Sequence, residues 1–483
     1  MPSGDDFIAI IKPALEAKEK GWQALGPNEL LAQHFSHRIL PVRALAKSQV
    51  LLLGKLNFET FMWVGILSWL SIYALLVWQA KFTGSGVALL FTSLVWFQPQ
   101  AAANCLAAMQ AASNMPVLLF ALIAFSFRTR IGPSWWLAAW LIGTMATMTT
   151  GNGLLVPLIL LIWDAWEKRG KRFVAGLILT ALIFVMYFAG FTNPESQKYA
   201  SSAKDILGNI LVMTGAILNL GRVPLWVVAA FGASLGLWAL TTLIFAVRHG
   251  EKILAAVLFF VGGSILLASF ARAGWGNEYM LQDRYLVYPI ILLSACGGRL
   301  VDGINSRKLK NCIVFFGMVF AALSWWHYTP KVISNARSAE AEALGWQLGF
   351  PGFRFSADKK TNMESVAEAV CLLQKANEKH IFSPRDSINL KHRIRISENS
   401  YVCFGEWNGA ASGYLVPPAP AAEDSVFILF EADGWWQVGF RPAHRIALGR
   451  FLLGQHQIPW SYVVASPPAL MPDLWKGEIR TLK

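Results

Sequence analysis

Asn57 to Gln79 reads NFETFMWVGILSWLSIYALLVWQ, and this stretch decides the fold. Glu59 is its only charged residue. A helix rises about 1.5 Å per residue, so a run of this length matches the roughly 30 Å hydrocarbon core of a bilayer. Backbone polar groups there must be satisfied within the segment, and a helix does that. Working outward, further apolar runs lie at 86–98, 114–127, 134–150, 153–165, 173–191, 224–246, 253–271, 285–298 and 311–328. Together they predict an all-α polytopic membrane bundle of about ten spans. The interrupted apolar segment 206–221 is expected to be re-entrant or interfacial.

Composition agrees. Of 483 residues, 55% are hydrophobic and 15% charged, and the mean hydropathy is +0.44. Soluble domains carry about 25% charged residues. This excludes a soluble enzyme, a disordered chain and a disulfide scaffold. The 21 tryptophans and 31 phenylalanines suit helices whose ends meet both membrane interfaces. Residues 1–328 carry 25 basic and 14 acidic side chains, whereas 329–483 carry 17 and 15. The excess sits in short loops, the pattern of cytoplasmic loops and not of a nucleic-acid-binding surface.

Those loops set the orientation. Arg128 with Arg130, then Lys168, Arg169, Lys171 and Arg172, then Arg248 with Lys252, and finally Arg299, Arg307, Lys308 and Lys310 all belong in the cytoplasm. Alternation then places 99–113, 192–205 and 272–284 outside, together with everything before 57 and after 329. Three regions follow: 1–56, a first external loop region with amphipathic helices; 57–328, the transmembrane domain; and 329–483, a small α+β extracytoplasmic domain. Residues 1–56 hold no run long enough for a signal peptide, so the parity implies an upstream transmembrane helix; one miscounted span would instead leave the N-terminus cytoplasmic.

In the tail, Ser334–Gln347 and Asn362–Glu378 read as helices. Val426–Phe430 and Trp435–Phe440 read as a hairpin about Asp433-Gly434. Cys371 and Cys403 form one disulfide if the tail meets an oxidising compartment, and stay buried thiols otherwise. No cysteine spacing suits a metal.

Chemistry-bearing residues are sparse. Asp5 and Asp6 are adjacent carboxylates, suited to act as a general base or to hold a divalent metal ion facing a phosphate. The plainer reading is a solvated cap for the helix beginning at Phe7. His34-Phe35-Ser36-His37-Arg38, with Arg43 and Lys47, suits a lipid phosphate or else an interfacial amphipathic helix facing anionic lipids. Gln98, Gln100, Asn104 and Gln110 face sugar hydroxyls or bond between helices. Thr149-Thr150-Gly151-Asn152-Gly153 makes a tight bend. Arg284, ahead of Tyr285, needs a partner: Asp283, Glu278 or an incoming phosphate.

In order, Asp5-Asp6, His37-Arg38-Ile39, Phe97-Gln98-Pro99 with Asn104 and Gln110, Thr150-Gly151-Asn152-Gly153-Leu154 and Arg284-Tyr285 resemble a broad group of bacterial multi-spanning inner-membrane proteins. That group is similar to glycosyltransferases of the GT-C architecture. The resemblance covers most of 1–328 and rests on short motifs. It implies a polyprenyl-phosphate-linked sugar as donor, a membrane-lipid partner and a catalytic acid in the first external loop. Asp5 or Asp6 would be that acid, as base or metal ligand. Arg38 and Arg284, flanked by His37 and Tyr285, would hold the lipid-linked phosphate. Two departures stand out: the family's first helix is absent, and Ser36-His37-Arg38 stands where Glu-His-Arg is usual. The competing classes are a transporter or flippase, for which inverted repeats and mid-span charges are missing, and a non-enzymatic envelope assembly protein.

Overall fold

A computed structural model describes residues 6–35, 37–79, 85–192, 202–221, 223–347, 368 and 371–382, and the backbone of strands beyond residue 400. In chain order the helices are α1 (Lys12–Lys20), α2 (Pro27–Leu30), α3 (Leu40–Leu53), α4 (Phe58–Gln79), α5 (Gly86–Trp96), α6 (Ala102–Leu106), α7 (Ala108–Arg128), α8 (Pro133–Thr147), α9 (Leu155–Trp166), α10 (Gly170–Phe188), α11 (Ala203–Gly215), α12 (Leu225–Arg248), α13 (Lys252–Arg272), α14 (Val287–Gly303) and α15 (Arg307–Gln347). The chain forms two compact units. One comprises Trp22–Ser48 and Asn57–Tyr328; the other Met1–Gly21, Gln49–Leu56 and Thr329–Lys483.

The first unit is the helical bundle. Among the described residues, seven helices are long and apolar enough to cross a membrane: Phe58–Gln79, Ala108–Arg128, Gly170–Phe188, Leu225–Arg248, Lys252–Trp275, Asp283–Gly303 and Arg307–Thr329. This makes the chain a multi-pass membrane protein by length and composition. Three of the expected spans fall short of crossing. α5, α8 and α9 have 11, 15 and 12 residues. At about 1.5 Å per residue they reach only part of a 30 Å core. The α8–α9 hairpin reverses at Thr149–Gly153, where Gly153 packs so closely that a Cβ would lie 2.0 Å from the Ala146 carbonyl oxygen. Only glycine closes this bend.

α7, α13 and α14 are mostly buried, whereas α10, α12 and α15 keep most of their surface outward. On α10 the outward face carries Val174, Leu177, Ile178, Leu182 and Val185. Such a stripe suits acyl chains and not water. Most of the interrupted segment 206–221 belongs to α11, a helix of 13 residues that packs along α12. Gly215 and Gly232 meet there. A Cβ on Gly232 would stand 1.8 Å from the Leu211 carbonyl oxygen.

Alternation along the bundle puts the ends of α4, α7, α9 and α12, and the starts of α10, α13 and α15, at one end, the basic end. Its main tie is an ion-pair network. Arg128, 1% exposed at its side chain, donates to Asp164 Oδ1 at 2.5 Å and to Glu167 Oε2 at 2.9 Å. Trp136 donates to Asp164 Oδ2 at 2.9 Å. Lys252 reaches Glu167 Oε1 at 2.6 Å, and Arg169 reaches Oε2 at 2.9 Å. Burial opposes charge on Glu167, yet hydrogen bonds from Lys252, Trp163 and Arg128 outweigh it and hold the carboxyl down at about 2. α7, α9 and α13 are thereby joined.

In the second unit a π-helical turn, Phe7–Ile11, runs straight into α1, closed by Lys12 N–H donating to the Phe7 carbonyl. Pro13 has no N–H to donate, which favours the wider turn just before it. Lys12 pairs with Glu368 at 3.8 Å, Lys379 pairs with Glu19, and Leu56 N–H donates to the Ile381 carbonyl at 2.8 Å. α15 covers both the expected span 311–328 and the expected tail helix Ser334–Gln347. Residues 371–378 are helical; the rest of the expected helix from Asn362 lies outside the described residues, Glu368 apart. Strands Phe427–Glu431 and Gly434–Val438 pair antiparallel, Glu431 opposite Gly434, at the expected hairpin. Cys371 is a free thiol; the Cys403 side chain lies outside the described residues.

Candidate functional site

The end of the bundle opposite the basic end gathers the polar residues. Its first part is a short reversal between α2 and α3. Strand β1 (Gln33–His34) pairs antiparallel with β2 (His37–Arg38), with His34 opposite His37. The chain turns at Phe35, whose φ is +47°. The amphipathic helix anticipated through this segment is therefore not formed before Leu40. Pro41 in the first turn of α3 loses nothing by lacking an N–H.

The basic residues here hold backbone. Arg38 is buried and donates from Nε to the Tyr187 carbonyl at 2.7 Å, and from its other nitrogens to the Leu31 and Ala189 carbonyls. Tyr187 and Ala189 end α10, where helical carbonyls lack internal donors. Gln33 completes the clamp, accepting from Thr192 N–H at 2.9 Å and donating to the Thr192 carbonyl at 2.6 Å. Arg43 donates to the Glu29 and Gln33 carbonyls, each at 3.2 Å. Lys47, fully buried, donates to the Ala24 carbonyl at 3.0 Å.

His34 is 3% exposed, and neither ring nitrogen has a hydrogen-bond partner among the described residues. Burial, aided by the Arg43 charge, pushes its pKa down to about 4. A folded-state value below the unfolded 6.5 contributes stability above pH 6.5 that is lost as pH falls through 4. Thermal unfolding of purified protein between pH 7 and 4 is expected to show this loss, and His34→Gln to flatten it. Parallel slopes in the two proteins would refute the assignment.

His37 reaches the bundle. A Cβ on Gly151 would lie 3.0 Å from His37 Nδ1 and 3.5 Å from the Tyr187 hydroxyl, so this ring packs against the Thr150–Gly153 turn. Next in that turn, Asn152 Nδ2 donates to Tyr288 Oη at 3.1 Å and Ser264 Oγ at 3.2 Å. Tyr288 lies one helical turn beyond Tyr285. His37, Gly151, Asn152 and Tyr288 thus adjoin one another at this end of the bundle.

Arg284 adjoins it. Its guanidinium donates to Gln282 Oε1 at 2.5 Å and to the Tyr279 hydroxyl, and lies 5.3 Å from the ring centres of both Tyr279 and Tyr285. Among the described residues no carboxylate pairs with Arg284 or Arg272. The Asp283 or Glu278 partner that the sequence offers is not taken up. A half-buried cation beside two phenol rings, with only neutral ligands among the described residues, forms a site that attracts an anion.

The predicted residues are thus divided. His37, Arg284 and Tyr285 share the bundle end, and Arg38 sits beside His37 with three of its N–H groups on main-chain carbonyls. Asp6 belongs to the other unit. It is 3% exposed and makes no side-chain cap bond, so it is not the solvated cap of the plainer reading. Asp5 lies outside the described residues. Among the described residues no group of three or more His, Cys, Asp or Glu could hold a metal ion. Of the four amides, Gln100 donates to the Ile217 carbonyl at 3.0 Å and Asn104 to the Asp283 carbonyl at 3.0 Å, bonds between separate segments of the bundle. Sequence reasoning passed over Tyr187 and Tyr288. Spacing from Tyr285 could have flagged Tyr288; Tyr187 carries no local signal.

Bundle and site together define a helical multi-pass membrane protein with an anion-seeking Arg/Tyr cluster at one end. Compared with protein-family models, with curated protein sequences and with solved structures, the chain matches none.

Proposed function

We propose that the chain is an integral-membrane glycosyltransferase, moving a sugar from a polyprenyl-phosphate donor to an envelope glycan or lipid at the outer face of a bacterial inner membrane. The observation that carries this is the Arg284 guanidinium, set against Tyr279 and Tyr285 and bonded only to neutral partners among the described residues. A lipid-linked donor reaches such a site laterally, its phosphate seated on the Arg284 guanidinium while its chain stays among apolar helices. In the reaction an acceptor hydroxyl attacks the anomeric carbon, the bond from that carbon to the phosphate oxygen breaks, and the polyprenyl phosphate leaves as an anion. Arg284 stabilises that anion. The resemblance gives the role of base for the acceptor hydroxyl to Asp5 or Asp6. In this reading residues 1–56 and 329–483 lie on the outer side of the membrane, and the bundle is GT-C-like.

Arg284→Gln and Asp6→Asn, each placed in the cellular gene, are expected to lower glycan transfer by about 100-fold or more. Protein level in the membrane should stay unchanged, and the surface glycan or glycolipid profile is the readout. A normal profile in both variants would sink the proposal and return the transporter and envelope-assembly readings.

A further inference from the structure

At the basic end a cavity of about 470 Å³ lies between the final turns of α4 and α7. Higher in the bundle these helices touch: a Cβ on Gly65 would stand 2.6 Å from Ala111 Cβ. Pro116 then interrupts the hydrogen-bond ladder of α7 before the level of the cavity. The cavity has two chemically distinct walls. Leu75, Ile123 and Phe127 are apolar; Gln79, Ser126 and Arg130 are polar. Gln79 Nε2 bridges to Ser126 Oγ at a long 3.3 Å.

Arg130 is poised and not consumed. It stacks on the Trp135 ring at 4.3 Å and lies 6.0 Å from that of Phe127, and among the described residues it has no carboxylate partner. The last carbonyls of α7 do not need it. Ser126 O already accepts from Thr129 Oγ1 at 2.7 Å, and Phe127 O from Arg130 N–H at 3.1 Å. Trp78, also lining the cavity, is 58% exposed, as expected of a ring at a membrane interface. Outward Leu67 and Leu70 continue the apolar face of α4 beyond the cavity.

A cation, an amide and a hydroxyl above an apolar floor match an amphiphile with a phosphate head. The level is that of the positively charged loops, where a cytoplasmic leaflet presents anionic lipid. We propose that this cavity binds the headgroup of an anionic phospholipid, its phosphate on Arg130 and its acyl chains along the outward face of α4. This is independent of the transferase reading, since it lies at the other end of the bundle.

The test uses the full chain, delipidated in neutral detergent and offered phosphatidylglycerol or phosphatidylcholine, with retained lipid counted by native mass spectrometry. The expected result is a preference for phosphatidylglycerol that Arg130→Gln reduces about fivefold or more. Lys308→Gln, another basic-end charge, should leave it unchanged. Ile123→Trp fills the cavity without altering charge and should also release the lipid. Equal retention of the two lipids, an undiminished preference in Arg130→Gln and Ile123→Trp, or displacement by inorganic phosphate alone would overturn the proposal.

Discussion

Gly232→Leu is expected to abolish a stable bundle. A Cβ at this position would fall 1.8 Å from the Leu211 carbonyl oxygen and 2.8 Å from Gly215 N, and one on Gly215 would fall 1.9 Å from the Val228 carbonyl oxygen. These neighbours are backbone, so no rotamer change relieves the clash; α11 must leave α12. In lipid, where apolar side chains gain little by meeting each other, close approach of small residues is a main source of helix association. The loss should therefore reach the top of the overpacking range, about 3 kcal/mol or more. Displacing α11 also frees Asn209, which donates to the Ser269 carbonyl at 3.3 Å. Fluorescence-detected gel filtration of detergent extracts measures the outcome. Gly262→Leu is the control, because a Cβ at Gly262 meets nothing within 4 Å. Equal monodisperse peaks from the two variants would refute the close packing.

Asp164→Leu should lower the thermal stability of the solubilised protein by about 3 kcal/mol, near the low end for a stranded buried charge. It leaves Arg128 enclosed with Glu167 as its one remaining carboxylate, at 2.9 Å, and takes the acceptor from Trp136. Retention of Glu167 is what keeps the effect from the upper end of that range. The double change Arg128→Met with Asp164→Leu should recover most of the loss, since replacing both members of a buried pair by apolar groups is often neutral. A double variant as unstable as the single one would show that packing about these residues, and not the unpaired charge, sets the cost.

The membrane class was legible in the sequence because a bilayer demands long uncharged helices, and Asn57–Gln79 satisfies that demand unaided. Helices occur at each of the ten expected spans. The expected runs 86–98, 134–150 and 153–165 are short, and so are their helices α5, α8 and α9, which stop before Gln98-Pro99, the Thr149–Gly153 turn and the charged stretch that begins at Glu167. The basic cluster from His34 to Lys47 looked like a lipid-facing helix because charge counting cannot see carbonyls. In the fold those cations satisfy main-chain oxygens of Ala24, Glu29, Leu31, Gln33, Tyr187 and Ala189.

Composition and hydrophobic run length, taken alone, determined that this chain is helical, multi-pass and asymmetric in charge, since these depend only on the transfer of local segments from water to lipid. Which arginine is bound to backbone and which faces neutral phenols was decided only by tertiary structure. Arg38 and Arg284 carry the same guanidinium, and the difference lies in partners up to 151 residues away in the chain. Long-range pairing of buried polar groups is a property of the packed bundle, and no window of sequence contains it.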